Sequence, residues 1–286
     1  MLILVFVVTL YPMIFVLSAS FSDPGAVASG KMLLFPKGFS LDGYKYVLQY
    51  KEIWTGYGNT IFYTFVGTVL NLAITLPAAY ALSRRNLVGK RFFTILFMIT
   101  MYFSGGLIPS YLNANSFGLV NTRAFMLIHG AVSVYNMIVA RTFFASTIPE
   151  ELHEAAIVDG ADEFKIFRKI IMPLSAPITV VLALYYGVGH WNEYFTAMVF
   201  LARRRDAWPL QLVLREILVQ GKFAETAVMN GSMLSPEEVA YLISQADTSN
   251  MIKYCVIVVA VVPMLLIYPW LQKFFSKGVM IGAVKG

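Results

Sequence analysis

His190, Glu193 and Tyr194 lie at positions i, i+3 and i+4 inside an apolar run, with Trp191 and Asn192 beside them and Tyr185-Tyr186 a turn earlier. At helical spacing the first three share one face. Ionisable groups at membrane depth are costly and turn towards a cavity or a partner. An imidazole and a carboxylate one turn apart can relay a proton. Aromatic rings beside hydrogen-bonding groups suit sugars, which offer apolar faces and many hydroxyls. The same pair can also bridge to a neighbouring helix or close a gate. A second stripe, His129, Ser133, Asn136 and Ala140, leads towards Arg141 and can line a path. A third, Thr60, Thr64, Thr68, Asn71 and Thr75, reads as interhelical hydrogen bonding ahead of pore lining.

Other chemistries are excluded by spacing. His153-Glu154 lacks the second histidine of a zinc protease, and His190-x-x-Glu193 supplies too few ligands for a metal site. No Gly-x-x-x-x-Gly-Lys-Ser/Thr occurs, so ATP binding by this chain is not expected. Cys255 is the lone cysteine, which rules out an intrachain disulfide. No nucleophile stands with a matching base, which argues against a membrane-embedded hydrolase. The chain is expected to be no enzyme and to hold no metal or cofactor.

The elements that must position these residues are apolar. Hydrophobic residues make up 58% of the 286-residue chain and charged residues 13%, about half the charged share of a soluble domain. Segments near the length needed to cross about 30 Å of hydrocarbon recur at residues 2–18, 60–82, 92–107, 125–144, 177–201 and 254–275. The reading is an all-α, polytopic membrane protein with six transmembrane helices. The first segment tolerates Pro12 as a kink, and the rival reading, a signal peptide ending at Ser18-Ala19-Ser20, lacks a basic leader. The net charge of +6 is explained by loop lysines and arginines rather than by nucleic-acid binding.

Six crossings put both ends on one side. Arg84, Arg85, Lys90 and Arg91 follow the second segment, and Lys273, Lys277 and Lys285 mark the tail, which places these regions and both termini in the cytoplasm. Arg203-Arg204-Arg205 then falls outside, in a connection of about fifty residues where the rule is weak. The expected organisation is a first helix and extracytoplasmic segment over 1–56, a transmembrane domain over 57–275 and a cytoplasmic tail over 276–286. The domain contains an insert at 147–173 and an outer loop at 202–250. In that loop, Ser235-Pro236-Glu237-Glu238 predicts a helix start.

The insert, which runs from Thr147 through Glu150-Glu151-Leu152-His153-Glu154-Ala155-Ala156-Ile157-Val158-Asp159-Gly160-Ala161 to Pro173, is a charged island between apolar segments. It has no lipid to satisfy and needs solvent or a soluble partner. Thr147 with Glu150 three places on predicts an N-cap, Gly160 a left-handed stop, Asp162 a second cap, and Pro173 the end of a second short helix. An amphipathic pair lying on headgroups is the alternative, but the first helix is acidic and poorly suited to an anionic leaflet.

Glu-Ala-Ala at 154–156, Gly160, Ile170 and Pro173 together resemble the coupling signature of ABC importer permeases, with Met172 where the usual form has leucine. Pro149-Glu150-Glu151-Leu152, Asp159-Gly160-Ala161, Gly118-Leu119-Val120-Asn121-Thr122 and Trp191-Asn192-Glu193 are similar to the MalG-type half of carbohydrate importers. Gly105-Gly106-Leu107-Ile108-Pro109, Gly189-His190-Trp191-Asn192 and the string 209–218 resemble the LplC-type oligosaccharide permeases more closely still. The resemblance covers residues from about 57 to the end. The family's basic leader before the first segment is missing here, which is compatible with a longer native amino end or with one that is simply brief.

The resemblance implies the type I importer (MetI-like) fold in the inner cell membrane, among lipids. It implies a homologous permease, two cytosolic ATPase subunits, an extracytoplasmic solute-binding protein and an oligosaccharide cargo as partners. It further implies that the insert docks on an ATPase, with Glu154 meeting a basic residue. Arg203-Arg204-Arg205, if outside, can attract an acidic oligosaccharide such as an alginate or pectin fragment, or touch the binding protein. The rival class is an ion-coupled secondary transporter that uses His190 and Glu193 as proton relays.

Overall fold

The computed structural model describes residues 1–229 and 235–282; the tail lysine Lys285 lies outside the described residues. Among them every regular element is a helix. In chain order these are α1 (Leu2–Ser20), α2 (Pro24–Ala28), α3 (Asp42–Gln49), α4 (Lys51–Ser83), α5 (Lys90–Tyr102), α6 (Leu107–Ser116), α7 (Arg123–Ile128) and α8 (Val134–Thr147). Then follow α9 (Glu150–Val158), α10 (Glu163–Ile166), α11 (Met172–Leu174), α12 (Ala176–Asn192), α13 (Phe195–Phe200), α14 (Leu210–Met229) and α15 (Pro236–Gly282). Helices suit an apolar chain because each backbone polar group is satisfied within its own segment.

The chain forms two compact units, Met1–Asn59 with Asp206–Ile267, and Thr60–Arg205 with Tyr268–Gly286. The first unit is built around Val47, Ile53, Leu210, Leu214, Ile252 and Cys255. Asn59 donates from Nδ2 to the carbonyls of Asp206 (2.8 Å) and Trp208 (2.9 Å), fixing the backbone ahead of α14. The predicted start of α15 is present as a capping box: Ser235 accepts from the Glu238 N–H, and the Glu238 carboxylate accepts from the Ser235 N–H at 2.8 Å.

In the second unit α4, α8, the insert and α12 share a core of Leu76, Tyr80, Met137, Phe144, Ile166 and Leu182 with their neighbours. Among the described residues, α4 and Glu237–Leu266 of α15 are each long and apolar enough to cross a bilayer; α1 is apolar but shorter. The segment expected at 92–107 stops at Tyr102 and resumes at Leu107 with a 114° bend, at Gly106 with φ +86°. The segments expected at 125–144 and 177–201 are likewise two helices each, α7 with α8 and α12 with α13. Apolar composition sets the extent of these segments, but the backbone breaks where Gly130 takes φ +72° and where Glu193 becomes extended.

Two readings of the insert's ends need correction. Thr147 is the last residue of α8 rather than an N-cap; α9 begins at Glu150 behind Pro149, with no side-chain cap. Pro173 does not end a helix. Residues Phe167–Ile171 widen into a π turn that hands over to α11, and the 81° bend falls at Ser175. A π turn accommodates an interruption of the usual hydrogen-bond ladder, and the buried Ser175 closes the turn by donating from N and Oγ to the Ile171 carbonyl.

Candidate functional site

Two polar clusters occupy the second unit, one at the end of α4 and one midway along it. The end of α4 would leave its last carbonyls without partners. Here cations take them: Arg141 Nε donates to the Leu82 carbonyl at 3.2 Å, and Lys90 Nζ donates to those of Ser83 (3.2 Å) and Arg84 (2.9 Å). Partial burial, then repulsion from Arg141, Arg84 and Arg85, holds the Lys90 ammonium below the ordinary lysine range. Arg84 reaches the insert, donating from Nη2 to Glu150 Oε1 (2.6 Å) and to His153 Nδ1 (2.8 Å).

Because guanidinium only donates, Nδ1 accepts and Nε2 carries the proton. Nε2–H then donates to Glu163, 3.0 and 3.2 Å from its two oxygens, and the Tyr80 hydroxyl donates to the same carboxylate at 3.0 Å. Partial burial pushes the Glu163 carboxyl up, but the His153 and Tyr80 hydrogen bonds and the nearby positive charge outweigh it. Glu163 therefore titrates below the usual 4.5.

Between these anchors the insert turns as its glycine predicts. Gly160 has φ +73°, its N–H reaches the Ile157 carbonyl, and the Ala161 N–H reaches that of Ala156, the two bonds of a Schellman motif. Asp162 caps the next helix through the Lys165 N–H at 2.7 Å. Of the adjacent alanines, Ala156 packs inward and Ala155 points outward, so only Ala155 is open to another surface. Glu151, Glu154, Asp159 and Gly160 are exposed, as are Leu152, Ile157, Val158 (86%) and Phe164 (70%). Ala161 and Ile170 pack against the core, Pro173 is exposed, and Glu150 is turned aside to Arg84.

Midway along α4 the break at residues 129–133 is held from outside. Asn71, fully buried, donates both Nδ2 hydrogens to the carbonyls of Gly130 (3.1 Å) and Ala131 (2.8 Å). That leaves Oδ1 as acceptor, and it receives His190 Nε2–H at 2.7 Å. The Tyr186 hydroxyl accepts the Ser133 N–H at 3.1 Å and shares a hydrogen bond with Thr75 Oγ1 at 2.8 Å. Irregular backbone in a membrane survives only where neighbours satisfy it, and these side chains do so. Thr64 and Thr68, on the same stripe, have buried hydroxyls without a partner.

A cavity of about 370 Å³ opens at this level, lined by His129, Asn136, Tyr185, Tyr186, His190 and Glu193. The three other sequence candidates lie elsewhere: Trp191 is buried, Asn192 is exposed and bonds back to the Val188 carbonyl, and Tyr194 directly precedes α13. Because α12 ends at Asn192, Tyr194 parts from His190 and Glu193, which still line the one cavity. The His129–Ala140 stripe is likewise divided, with His129 closing α7 and Ser133 opening α8.

Ser133, part of the stripe expected to line a path, does line the cavity; Met126, Gly130, Gly189 and Thr196 also line it without having been singled out as lining residues from sequence, and Gly130 inside an apolar run was the available signal. Gly67 was missed too. A Cβ there would stand 2.5 Å from His190 Nε2, so its absence is what admits the ring. Glu193 accepts the Thr196 N–H at 2.8 Å and thereby caps α13. His190 Nε2–H is thus held by Asn71, and one Glu193 oxygen accepts a backbone N–H, so each has a hydrogen-bond partner other than the other.

Above the cavity α7 and α13 join through stacked Phe125 and Phe200, centroids 4.1 Å apart, and the Asn121 N–H meets the Phe200 carbonyl at 2.7 Å. Asn121, at φ 59°, accepts the Arg203 N–H on its side chain at 3.0 Å. This draws the arginine run 203–205 towards Arg123, two residues from Asn121, and Arg123, Arg203 and Arg205 are exposed.

Residues 53–281 match the family described as "Binding-protein-dependent transport system inner membrane component". Protein LplC of Bacillus subtilis is 37% identical over 279 residues, covering 98% of this chain and 90% of its own. The polygalacturonan/rhamnogalacturonan transport system permease protein YtcP of the same organism is 37% identical over 277 residues, covering 96% and 92%. A crystal structure of a bacterial ABC transporter involved in the import of the acidic polysaccharide alginate superposes with a TM-score of 0.83 at 34% identity, covering 96% of this chain and 93% of that one. These matches give no support to an ion-coupled secondary transporter. The chain belongs to the binding-protein-dependent transport system inner membrane component family, as a permease subunit of an ABC importer.

Proposed function

We propose that this chain is one of two homologous permease subunits of an ATP-driven importer that receives acidic oligosaccharides from an extracytoplasmic binding protein. The observation that carries the cargo class is the alginate importer's likeness along nearly the whole chain. Two further features support it. YtcP is named for galacturonan transport, and galacturonans are carboxylate polymers. The Arg203 backbone is held by Asn121, two residues from Arg123, and positive charge at such a mouth would raise the local concentration of anionic cargo.

In this reading the insert, residues 147–173, faces the cytoplasm together with both termini and docks in a groove of an ATPase subunit. Its contact face is Glu151, Glu154, Ala155, Asp159 and Gly160 with exposed Leu152, Ile157 and Val158. The apolar members supply contact area, and Glu154 supplies the charge for a basic partner. Sugar passes along Tyr185, Tyr186, His129, Asn136, His190 and Glu193, where rings and hydrogen-bonding groups alternate. ATP hydrolysis belongs to the partner subunits, and no covalent chemistry occurs here.

The test is a calorimetric screen of the cognate binding protein against alginate, galacturonan and neutral malto-oligosaccharides, followed by uptake in vesicles that carry the assembled importer. Tight binding and uptake of the acidic oligomers alone is expected. Preference for a neutral sugar overturns the cargo class, and a purified chain that retains no ATPase subunits through detergent extraction overturns the importer itself.

A further inference from the structure

We propose that α4 is the element that carries motion from the insert to the cavity, with His153 and Thr75 as positioning residues at its two fastenings. This rests on the insert being the ATPase-docking element.

The covalent route from insert to cavity is broken twice. It runs through the π turn at Phe167–Ile171 and an 81° bend at Ser175 before reaching α12. The non-covalent route enters an uninterrupted helix. His153 is buried although its helix belongs to the exposed insert, and it spends both ring nitrogens outside that helix, on Arg84 at 2.8 Å and on Glu163 at 3.0 Å. Tyr80, one turn before Arg84, holds the same Glu163 carboxylate at 3.0 Å. Both insert helices are thus tied to the last turns of α4.

About 14 Å along the axis from Arg84, at 1.5 Å per residue, Thr75 holds the Tyr186 hydroxyl at 2.8 Å, and that hydroxyl receives the Ser133 N–H at 3.1 Å. One turn further, Asn71 holds both sides of the broken segment's turn and His190. Pro77 lies between the fastenings and costs α4 one backbone hydrogen bond, yet the helix continues through Lys51–Ser83. Displacing the insert therefore displaces α4, and displacing α4 moves three cavity-lining groups together: Tyr186, His190 and the backbone at Gly130. Coupling of this kind is read as an interaction between the two fastenings.

The measurement uses the full complex with its sister permease and both ATPase subunits, carrying Tyr185→Cys in the cavity wall and Cys255→Ser. The rate of labelling by a membrane-impermeant maleimide is compared with and without ATP and vanadate, a readout that requires no knowledge of the cargo. With the native network the ratio of the two rates should differ from unity by about 5-fold or more. His153→Leu and Thr75→Val should each collapse the ratio to within about 2-fold while ATPase subunits stay bound, and the double variant should do no more than either alone. His153→Asn, which keeps one acceptor and one donor, should restore much of it.

A native ratio in His153→Leu, or losses that add in the double variant, overturns the proposal. Should His153→Leu fail to assemble, Tyr80→Phe decides. It keeps the ring packed on Phe144 and Phe167 and removes only the Glu163 contact, so a native ratio there makes the network mere scaffolding. A native chain that retains no ATPase subunits removes the importer reading instead, whatever α4 does.

Discussion

The two polar clusters on α4 are made of opposite materials. At its end Arg84, Glu150, Glu163 and Lys90 form a partly solvated charged network around the buried His153, with the Glu163 side chain 65% and the Arg84 side chain 17% exposed. Midway, Asn71, Thr75, Tyr186 and the Gly130–Ser133 backbone make a buried network of neutral hydrogen bonds joined to His190. Charges in water are screened and cost little to rearrange, whereas an unpaired amide or carbonyl in an apolar interior costs its full desolvation. The end of α4 is thus a charged, partly solvated fastening, and its middle a buried neutral one that holds one geometry.

That contrast can be broken by substitution. The largest effect is expected for Asn71→Leu, which strands the Gly130 and Ala131 carbonyls and His190 Nε2–H together. A stability loss of roughly 2–4 kcal/mol should follow, read as a lower thermal unfolding midpoint in detergent and unchanged by salt. Gly67→Ala should cost about 1–3 kcal/mol by driving a methyl into the His190 ring. Gly187→Ala, whose new methyl meets Thr68 Oγ1 at 3.7 Å and Thr64 Cγ2 at 3.9 Å, both ordinary contact distances, serves as its near-neutral control.

Smaller again is Arg84→Gln, worth about 0.5–1 kcal/mol at low salt and less at high salt because the pair is partly solvated. The smallest is a pH effect. The Glu163 carboxyl titrates below 4.5 in the folded chain, so its stabilising contribution is present above that value and is lost as pH falls through the lower folded value. Glu163→Gln should flatten the thermal stability profile below about pH 4.5 and leave neutral pH little changed.

The same contrast governs what the sequence made legible. Charge patterns betray themselves: the acidic insert, the stop at Gly160 and the Asp162 cap could each be read from residue type, because capping and turn chemistry act over three or four residues. The apolar runs gave the all-helical class for a similar reason, since hydrophobic length is local. The breaks in the fourth and fifth segments were not legible. Gly130 leaves the helix only because Asn71, about sixty residues away, accepts the cost of its carbonyl, and that partnership has no local signature.

Arg84 and Lys90 illustrate the limit from the other side. They were read as markers of orientation, yet in the fold they also cap α4 and grip the insert. His153 was weighed only as a metal ligand, because its burial is decided by packing against α4 and not by its own helix.

The central claim is that the Glu150–Pro173 insert passes work from ATPase subunits into this chain. Its most direct test is Gly160→Val in the reconstituted importer. A β-branched residue at φ +73° has open space around it, so the substitution distorts the turn without a clash elsewhere. ATP hydrolysis is expected to continue while sugar moved per ATP falls about tenfold; uptake that keeps its native ratio to hydrolysis would contradict the account.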